Sequence, residues 1–319
     1  MAARVKFCKL WLLLSLLWSH PLQGDSKSKK PIVIAVNDWT SQMVLSHVLK
    51  TLYEHQGYIV TLKNLKTGRQ WGQLPRGWAH VQVEVWQGTM ETQFNRLVAS
   101  GDVLDAGTHA AVTREDWWYP TYMEERCPGL PDWRALKKCS KEFATESSGG
   151  KGRYLGGPWE KPDDARIRAL GLDFIIEKAE QGSDLWVELD KAYRNKEPIV
   201  LFNWTPNWVE AKYDGKFIEF PEFAPECETD PKWGVSKSWT YDCGNPKNGW
   251  LKKLAWEGMT KEWPCALKIL RNVNFDNKMI AELAAYVDAQ QLSYESAASR
   301  WIKSYSQIWQ SWIPEKCER

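Results

Sequence analysis

Three tryptophans follow apolar segments that are typical of buried strands. The segments cover 32–36, 81–85 and 199–203, and the tryptophans are Trp39, Trp86 and Trp204. In open α/β sheets, ligands bind beyond the carboxyl ends of the strands. The three indoles are therefore expected to converge on one cleft. Trp117 and Trp159 are two further candidates for the wall of this cleft.

A cluster of indoles suits one kind of ligand in particular. A trimethylammonium group carries a fixed positive charge but no N–H, so hydrogen bonds cannot hold it. Aromatic faces attract such a cation through their negative quadrupole and bury its methyl groups. Each face contributes about 0.5–2 kcal/mol, so three to five faces could account for most of a micromolar affinity.

Other roles for tryptophan compete with this interpretation. The chain has 21 tryptophans, and five of them fit helix packing instead: Trp256, Trp263, Trp301, Trp309 and Trp312. Indoles also stack on sugars, but a carbohydrate site needs many convergent polar groups, and these strand ends supply few. Core packing and a carbohydrate- or peptide-binding module therefore remain the alternatives to an ammonium site.

Catalytic, metal and nucleic-acid sites have little support. Beyond the first 24 residues the histidines are His47, His55, His80 and His109, and none lies in a nucleophile elbow, a zinc motif or a dinucleotide-binding loop. No CxxC pair occurs, so we expect no metal and no cofactor. A net charge of +2 argues against nucleic acid as a partner. We expect a binding protein rather than an enzyme.

The amino-terminal residues are typical of a secretory signal. Arg4, Lys6 and Lys9 precede the apolar run 10–18, which is shorter than the roughly 20 residues that span a bilayer. We predict a signal peptide over residues 1–24 and a polar linker over 25–30. The protein is then exported to the periplasm or the extracellular space.

Six cysteines remain after the predicted cleavage, and an even number in an exported chain favours disulfides. About 15 pairings are open to six cysteines. Proximity in the sequence favours Cys127–Cys139 and Cys227–Cys243. Cys265–Cys317 is then the remaining pair, and it would tie the last helices to the body of the protein.

The pattern along the chain predicts an α/β fold. Apolar runs predict strands over 31–36, 59–62, 81–85, 173–176 and 197–203. Apolar periodicity predicts helices over 41–54, 90–100, 130–139, 163–170 and 183–195, and over 278–309 with a break near Leu292. The segment 222–248 reads as an irregular loop. Strand–helix–strand order indicates parallel strands with crossover helices.

Four motifs carry a resemblance to a known family. They are Asn37-Asp38-Trp39-Thr40, Val85-Trp86-Gln87-Gly88-Thr89-Met90-Glu91, the segment 116–122 that contains Trp117, and Trp204-Thr205-Pro206-Asn207-Trp208. In this order and spacing, over about residues 31–313, the chain resembles the substrate-binding proteins of glycine betaine/choline-type ABC transporters. The resemblance implies the type II periplasmic-binding-protein architecture: two Rossmann-like α/β lobes with a ligand cleft between them.

The resemblance also implies where the lobes begin and end and how they work. The first lobe would comprise residues 31–108 and 212–319, including the carboxyl-terminal helices, and the second lobe residues 109–211. The two would close on a solute like a trap. The partners would be a small methylated solute and the permease of an ABC transporter, and we expect a monomer.

Several ligand-binding residues follow from the same resemblance. Trp39, Trp86 and Trp204 would surround the ammonium group, with Trp117 standing where choline binders place an aromatic residue and Trp159 where betaine binders do. Asn37, Ser41 and Glu115 are further candidates, although Glu115 and its neighbour Asp116 could equally be solvated loop charges. Choline binders carry an aspartate where this chain has Ser41. That difference favours glycine betaine, trimethylamine N-oxide, dimethylsulfoniopropionate or carnitine over choline.

Overall fold

The computed structural model describes residues 29–315. The predicted signal peptide and residues 25–28 of the predicted linker lie outside this range. The strands are β1 (Ile32–Val36), β2 (Val60–Asn64), β3 (Val81–Trp86), β4 (Val103–Pro120), β5 (Gly152–Gly156), β6 (Phe174–Lys178), β7 (Leu201–Thr205), β8 (Gly215–Phe217) and β9 (Gly249–Trp256).

The helices are α1 (Thr40–His55), α2 (Thr67–Gln73), α3 (Gln87–Ser100), α4 (Met123–Arg126), α5 (Trp133–Cys139), α6 (Asp163–Leu170), α7 (Gly182–Asn195), α8 (Val209–Lys212), α9 (Glu226–Thr229), α10 (Met259–Glu262), α11 (Pro264–Asn272), α12 (Asn277–Asp288), α13 (Tyr294–Ser304) and α14 (Ser306–Ser311). Two 3₁₀ turns cover Ser140–Phe143 and Glu146–Ser148. Within residues 29–315, no helix is both long and apolar enough to cross a membrane.

The strands form one mixed sheet. Their order is β2-β1-β3-β9-β4-β7-β5-β6, and β8 pairs with β4 beside this path. β1 is parallel to β2 and β3, and β5 is parallel to β6 and β7. β9 is antiparallel to β3 and β4, and β4 is antiparallel to β7. The parallel pairs with crossover helices confirm the predicted α/β class.

Strand β4 joins the two halves of this sheet. Its residues 103–113 pair with β9, and residues 114–118 pair with β7. We call the part with β1, β2, β3 and β9 the first half, and the part with β5, β6, β7 and β8 the second half. β8, which the predicted boundary at 211/212 assigned to the first lobe, pairs with residues 118–120 of β4. The chain therefore returns to the first half after β8.

The predicted amphipathic helices are present. α1 buries the face formed by Val44, Leu45, Val48, Leu49 and Leu52, whose spacing repeats every three to four residues. This face packs against the sheet and against α12 and α13. The predicted break near Leu292 separates α12 from α13, where the Ser293 side chain accepts a hydrogen bond from the Ser296 amide and begins the new helix.

Two boundary predictions were wrong, and four strands were missed. The helix predicted from residue 130 begins only at Trp133, after Pro131, and the strand predicted from residue 197 begins at Leu201. β4, β5, β8 and β9 were not predicted. Register shifts after Asp105 and Thr108 interrupt the alternation of β4, so its sequence does not carry a regular strand pattern.

The segment 222–248 is irregular, as predicted, and contains only the single turn α9. Cys227 and Cys243 form a disulfide across it, with their Cα atoms 6.2 Å apart. Cys127 and Cys139 form the other predicted disulfide, with a Cα separation of 5.4 Å. Cys317 lies outside the described residues, so its pairing with Cys265 stays a prediction.

Candidate functional site

A small cavity lies between the two halves of the protein. We call it the aromatic cavity. Its wall consists of Trp39, Thr67, Trp86, Thr89, Met90, Glu115, Trp159, Lys161, Phe202 and Trp204. Five of these ten residues are aromatic, so most of the wall is made of ring faces and edges.

The ends of three strands bring the indoles together. Trp39 directly precedes α1, three residues after β1, and Trp86 is the last residue of β3. Trp204 lies in β7, one residue before its end, and Trp159 lies in the connection between β5 and α6. Both halves of the sheet therefore contribute to one cavity, at the strand ends where the sequence predicted convergence.

The rings enclose the cavity at steep angles to one another. The Trp159 ring is 6.2 Å from that of Trp39 and 5.4 Å from that of Trp204, nearly perpendicular to each. Phe202 lies 5.6 Å from Trp204. Perpendicular neighbours present their faces in different directions, so a small cation between them would meet several faces at once.

Two glycines make room for Trp159. A β-carbon at Gly157 would lie 2.4 Å from the Trp159 ring, and one at Gly182 would lie 2.9 Å from it. Neither distance is compatible with a side chain. The tryptophan thus folds back over its own connection and rests against the amino terminus of α7.

Carboxylates hold the indole N–H groups of three cavity tryptophans. Glu84 Oε2 accepts hydrogen bonds from Trp39 Nε1 at 2.7 Å and from Trp86 Nε1 at 3.0 Å. Asp38 of the first half accepts a hydrogen bond from the indole of Trp159 of the second half, with 2.9 Å between Oδ1 and Nε1. Burial raises the pKa of Glu84 to about 7, against the opposing effect of its hydrogen bonds.

The polar part of the wall is a small charged cluster. Lys161 Nζ lies 2.5 Å from Glu115 Oε1 and 2.6 Å from Thr89 Oγ1. The same ammonium group lies 4.3 Å from the centre of the Phe202 ring. The Thr89 hydroxyl donates its single proton to Glu115. The cavity therefore has an aromatic region and, beside it, the ammonium group of Lys161, which can donate a hydrogen bond to an anionic oxygen.

Trp117 is not part of the cavity wall. It is fully buried within the second half, stacked on Tyr154 at 3.9 Å, and donates its indole N–H to Asp163 at 2.9 Å. Because β4 runs antiparallel to β7, the step from Glu115 to Trp117 leads away from the carboxyl end of β7. The sequence left open whether Trp117 or Trp159 faces the ligand, and of these two Trp159 lines the cavity.

Asn37 and Ser41 lie beside the cavity but do not line it. The Asn37 side chain donates to the Leu65 carbonyl and accepts from Gln82, so it supports the loop before α1. The Ser41 hydroxyl donates to Glu84 at 3.1 Å. Both side chains are buried and already paired, which leaves them no direct access to a ligand.

Glu115 does line the cavity, and it is not a solvated loop charge. It lies in β4, is 7% exposed and pairs with Lys161. Asp116 is also buried in β4 but turns away and pairs with Arg166 at 2.8 Å. The two acidic neighbours point to opposite faces of the strand, as successive residues in a strand do.

Sequence reasoning missed Glu84, Lys161, Phe202, Thr89, Met90 and Thr67. One signal for Glu84 was available, because a charged residue inside a run as apolar as 81–86 is buried with a specific partner more often than not. Lys161 offered no comparable signal. It lies in an irregular connection, and only the folded chain brings it to Glu115.

Comparison with known proteins adds independent information. A family model described as the substrate-binding domain of an ABC-type glycine betaine transport system matches residues 30–304. A trimethylamine N-oxide-binding protein of Pelagibacter ubique is 34% identical over 93% of this chain and 95% of its own length.

Solved structures match the fold. A glycine betaine/L-proline-binding protein (ProX) from Borrelia burgdorferi has a TM-score of 0.70 at 18% identity, over 91% of this chain and 98% of its own. Lactococcal OpuAC, closed on glycine betaine, has a TM-score of 0.65 at 21% identity, over 89% of this chain and 100% of its own. These likenesses extend over nearly the whole described chain and agree with the type II periplasmic-binding-protein architecture.

Proposed function

Because the chain belongs to the family of substrate-binding domains of ABC-type glycine betaine transport systems, we propose that it captures a small methylated ammonium zwitterion in the aromatic cavity. Proteins of this family are extracytoplasmic solute binders and not enzymes. The chain is thus a substrate-binding protein, and delivery of its solute to a membrane permease is part of the proposal, as is action as a monomer.

One observation carries the choice of ligand class. Four indoles from both halves of the protein, Trp39, Trp86, Trp159 and Trp204, line one cavity. Trp39, Trp86 and Trp204 are each less than a tenth exposed. Trp39, Trp86 and Trp159 donate their N–H groups to carboxylates, which fixes the orientation of their rings. Such a wall suits a cation that cannot donate hydrogen bonds.

The charged cluster narrows the class to zwitterions. An anionic oxygen in the same ligand as the cationic group could accept a hydrogen bond from Lys161. Trimethylamine N-oxide, glycine betaine and dimethylsulfoniopropionate have such an oxygen, whereas choline has only a hydroxyl group. The similarity to a trimethylamine N-oxide-binding protein supports placing that compound first and glycine betaine second.

Calorimetric titration of the wild type tests the proposal. The panel contains trimethylamine N-oxide, glycine betaine, dimethylsulfoniopropionate, carnitine and choline, with a monosaccharide as the ligand of the carbohydrate alternative. We expect micromolar or tighter binding of a zwitterion and no binding of the sugar. Binding of the sugar alone, or chemical conversion of a bound compound, would contradict the proposal.

Substitutions of the indoles test the cavity. Trp86→Ala and Trp204→Ala should each reduce the binding free energy by about 1–3 kcal/mol, because each removes a face that contacts the cation. Trp78→Ala is the matched control, since Trp78 is 57% exposed and does not line the cavity. Unchanged affinity in both cavity variants would rule out this site.

A further inference from the structure

Glu84 makes an unusual set of contacts behind the aromatic cavity. A single oxygen, Oε2, accepts hydrogen bonds from Trp39 Nε1 at 2.7 Å, from Trp86 Nε1 at 3.0 Å and from Ser41 Oγ at 3.1 Å. Both indoles that the first half contributes to the cavity therefore depend on one carboxylate. Glu84 itself does not line the cavity.

The surroundings of Glu84 are unfavourable for a charge. The residue is completely buried in β3, and its second oxygen, Oε1, has no hydrogen-bond partner among residues 29–315. The three groups that contact its carboxylate carry no charge. A glutamine could accept the same hydrogen bonds without the desolvation of an ion. Packing and hydrogen bonding alone thus do not account for an acidic residue at this position.

We propose that Glu84 is a positioning residue that fixes Trp39 and Trp86 and whose negative charge makes the cavity select a trimethylammonium group over its neutral tert-butyl isostere. This inference rests on the proposed function. A carboxylate that accepts an indole N–H adds electron density to the ring, and its charge lies at the ring edge, close to the face that the ligand meets. In a buried site this attraction is weakly screened.

Asp38 shows the same arrangement on the opposite wall, where it holds the N–H of Trp159. Three of the four cavity indoles are thus backed by carboxylates, and Glu84 serves two of them. Lys161 is the sole basic residue among the ten that line the cavity, and Glu115 pairs with it. The excess of negative charge around the cavity therefore lies at the edges of the rings, where it attracts a cation that is bound against their faces.

Isosteric ligand pairs test the role of the charge. Glycine betaine is compared with 3,3-dimethylbutyrate, which differs from it only by a carbon in place of the cationic nitrogen. Trimethylamine N-oxide is compared with tert-butanol, which has the same shape but lacks both the cationic nitrogen and the anionic oxygen. In Glu84→Gln we expect the affinity for the ammonium member to fall about tenfold and that for its isostere to change less than about threefold. A role in positioning alone would lower both members of a pair equally.

Glu282→Gln is the matched control. Glu282 is a partly buried carboxylate that also accepts hydrogen bonds from two aromatic residues, Tyr286 and Tyr305, but it does not line the cavity. Its substitution should leave both ligand ratios unchanged. A thermal melt of each variant verifies that it is folded.

A change of pH removes the charge of Glu84 in the wild type, so that the ligand pairs can be compared without a substitution. Because the pKa of Glu84 is about 7 in the free protein, lowering the pH from about 8 to about 6 should neutralise it. The preference for the ammonium ligand should therefore decrease as the pH falls, and Glu84→Gln should abolish this dependence. The Lys161–Glu115 pair on the other wall is present in both proteins, so the difference between them reports on Glu84.

Two results would overturn the inference: an equal loss of both members of each pair in Glu84→Gln, or a preference that does not change with pH in the wild type. A different result would contradict the proposed function itself. The wild type would then bind neither glycine betaine nor trimethylamine N-oxide at any pH, before any variant is made.

Discussion

Lys161 places an ammonium group on the wall of the aromatic cavity, beside rings that attract cations. Its Nζ lies 4.3 Å from the centre of the Phe202 ring and pairs with Glu115. A ligand with only a positive charge would be repelled by this group. A zwitterion would place its oxygen at Lys161 and its methyl groups against the indoles. We therefore propose that Lys161, and not Ser41, provides the selectivity against choline.

Lys161→Gln should therefore change selectivity as well as affinity. We expect binding of glycine betaine and trimethylamine N-oxide to weaken by about 1.5–3 kcal/mol, the value of a hydrogen bond to a charged group. Choline should bind more tightly than in the wild type, because the repulsion is gone and Glu115 is left unpaired. Calorimetry with the three ligands measures both effects.

Lys178→Gln is the control for this substitution, since Lys178 is an exposed lysine at the end of β6 whose partner Glu160 is also exposed. It should bind all three ligands as the wild type does. If choline and the zwitterions lose affinity in parallel in Lys161→Gln, then Lys161 does not contact the anionic oxygen.

The sequence predicted the residues that follow from strand ends and missed those that depend on tertiary contacts. Trp39, Trp86 and Trp204 were predicted because each lies at or just after the end of an apolar strand, where ligands bind in α/β sheets. Trp117 follows the same kind of motif, but its position within β4 directs it into the core against Tyr154. Glu84 and Lys161 were missed because their partners are distant in the sequence. Trp39 lies 45 residues from Glu84, and Glu115 lies 46 residues from Lys161.

At the scale of elements, the sequence predicted the long helices α1, α3 and α7 and most of the short parallel strands, because each has a recognisable apolar pattern. It missed the parallel strand β5 and the helices α2 and α11. β4 was also missed, since it is an 18-residue strand that contacts β9, β7 and β8 in turn and shifts register twice against β9. Its two parts face different surroundings, so no single alternation runs through it. The predicted lobe boundary at 108/109 falls within this strand.

The irregular segment 222–248 contributes to the site through a few long-range contacts. Arg166 Nε donates to the Cys243 carbonyl at 2.9 Å, and the Asn245 amide donates to Asp116. The Asn245 side chain also donates to the backbone carbonyl of Glu115, which lines the cavity. The Cys227–Cys243 disulfide restrains the segment that makes these contacts.

Removing this disulfide should therefore affect both stability and binding. The double variant Cys227→Ser/Cys243→Ser should lose about 3 kcal/mol of unfolding free energy, since the bridge closes a loop of about 15 residues. Its ligand affinity should also fall, because the support behind Glu115 loosens. Guanidinium denaturation and calorimetry measure the two quantities.

Cys127→Ser/Cys139→Ser provides the matched comparison, because that disulfide closes a similar loop that includes none of the cavity residues. It should lose comparable stability but keep its affinity. An equal loss of affinity in the two double variants would mean that binding follows global stability and not the contacts of segment 222–248.

At the scale of the whole molecule, the cavity exists only because both halves meet. Trp159 donates to Asp38 across the cleft. Asp288 at the end of α12 accepts from Thr40 of the first half and from Trp208 of the second, both at 2.8 Å. A solute enclosed by four indoles could leave only after such contacts separate. This arrangement supports capture by closure of two lobes, with the connections between them acting as the hinge.

A crystal structure of the protein with trimethylamine N-oxide tests the central claim most directly. We predict that the methyl groups contact the faces of Trp39, Trp86, Trp159 and Trp204, with the oxygen within hydrogen-bonding distance of Lys161. Saturation with glycine betaine should give the same arrangement. A ligand found outside the aromatic cavity, such as in the wider cleft lined by Asn64, Gln181 and Tyr294, would contradict the account, as would methyl groups that contact none of the four indoles.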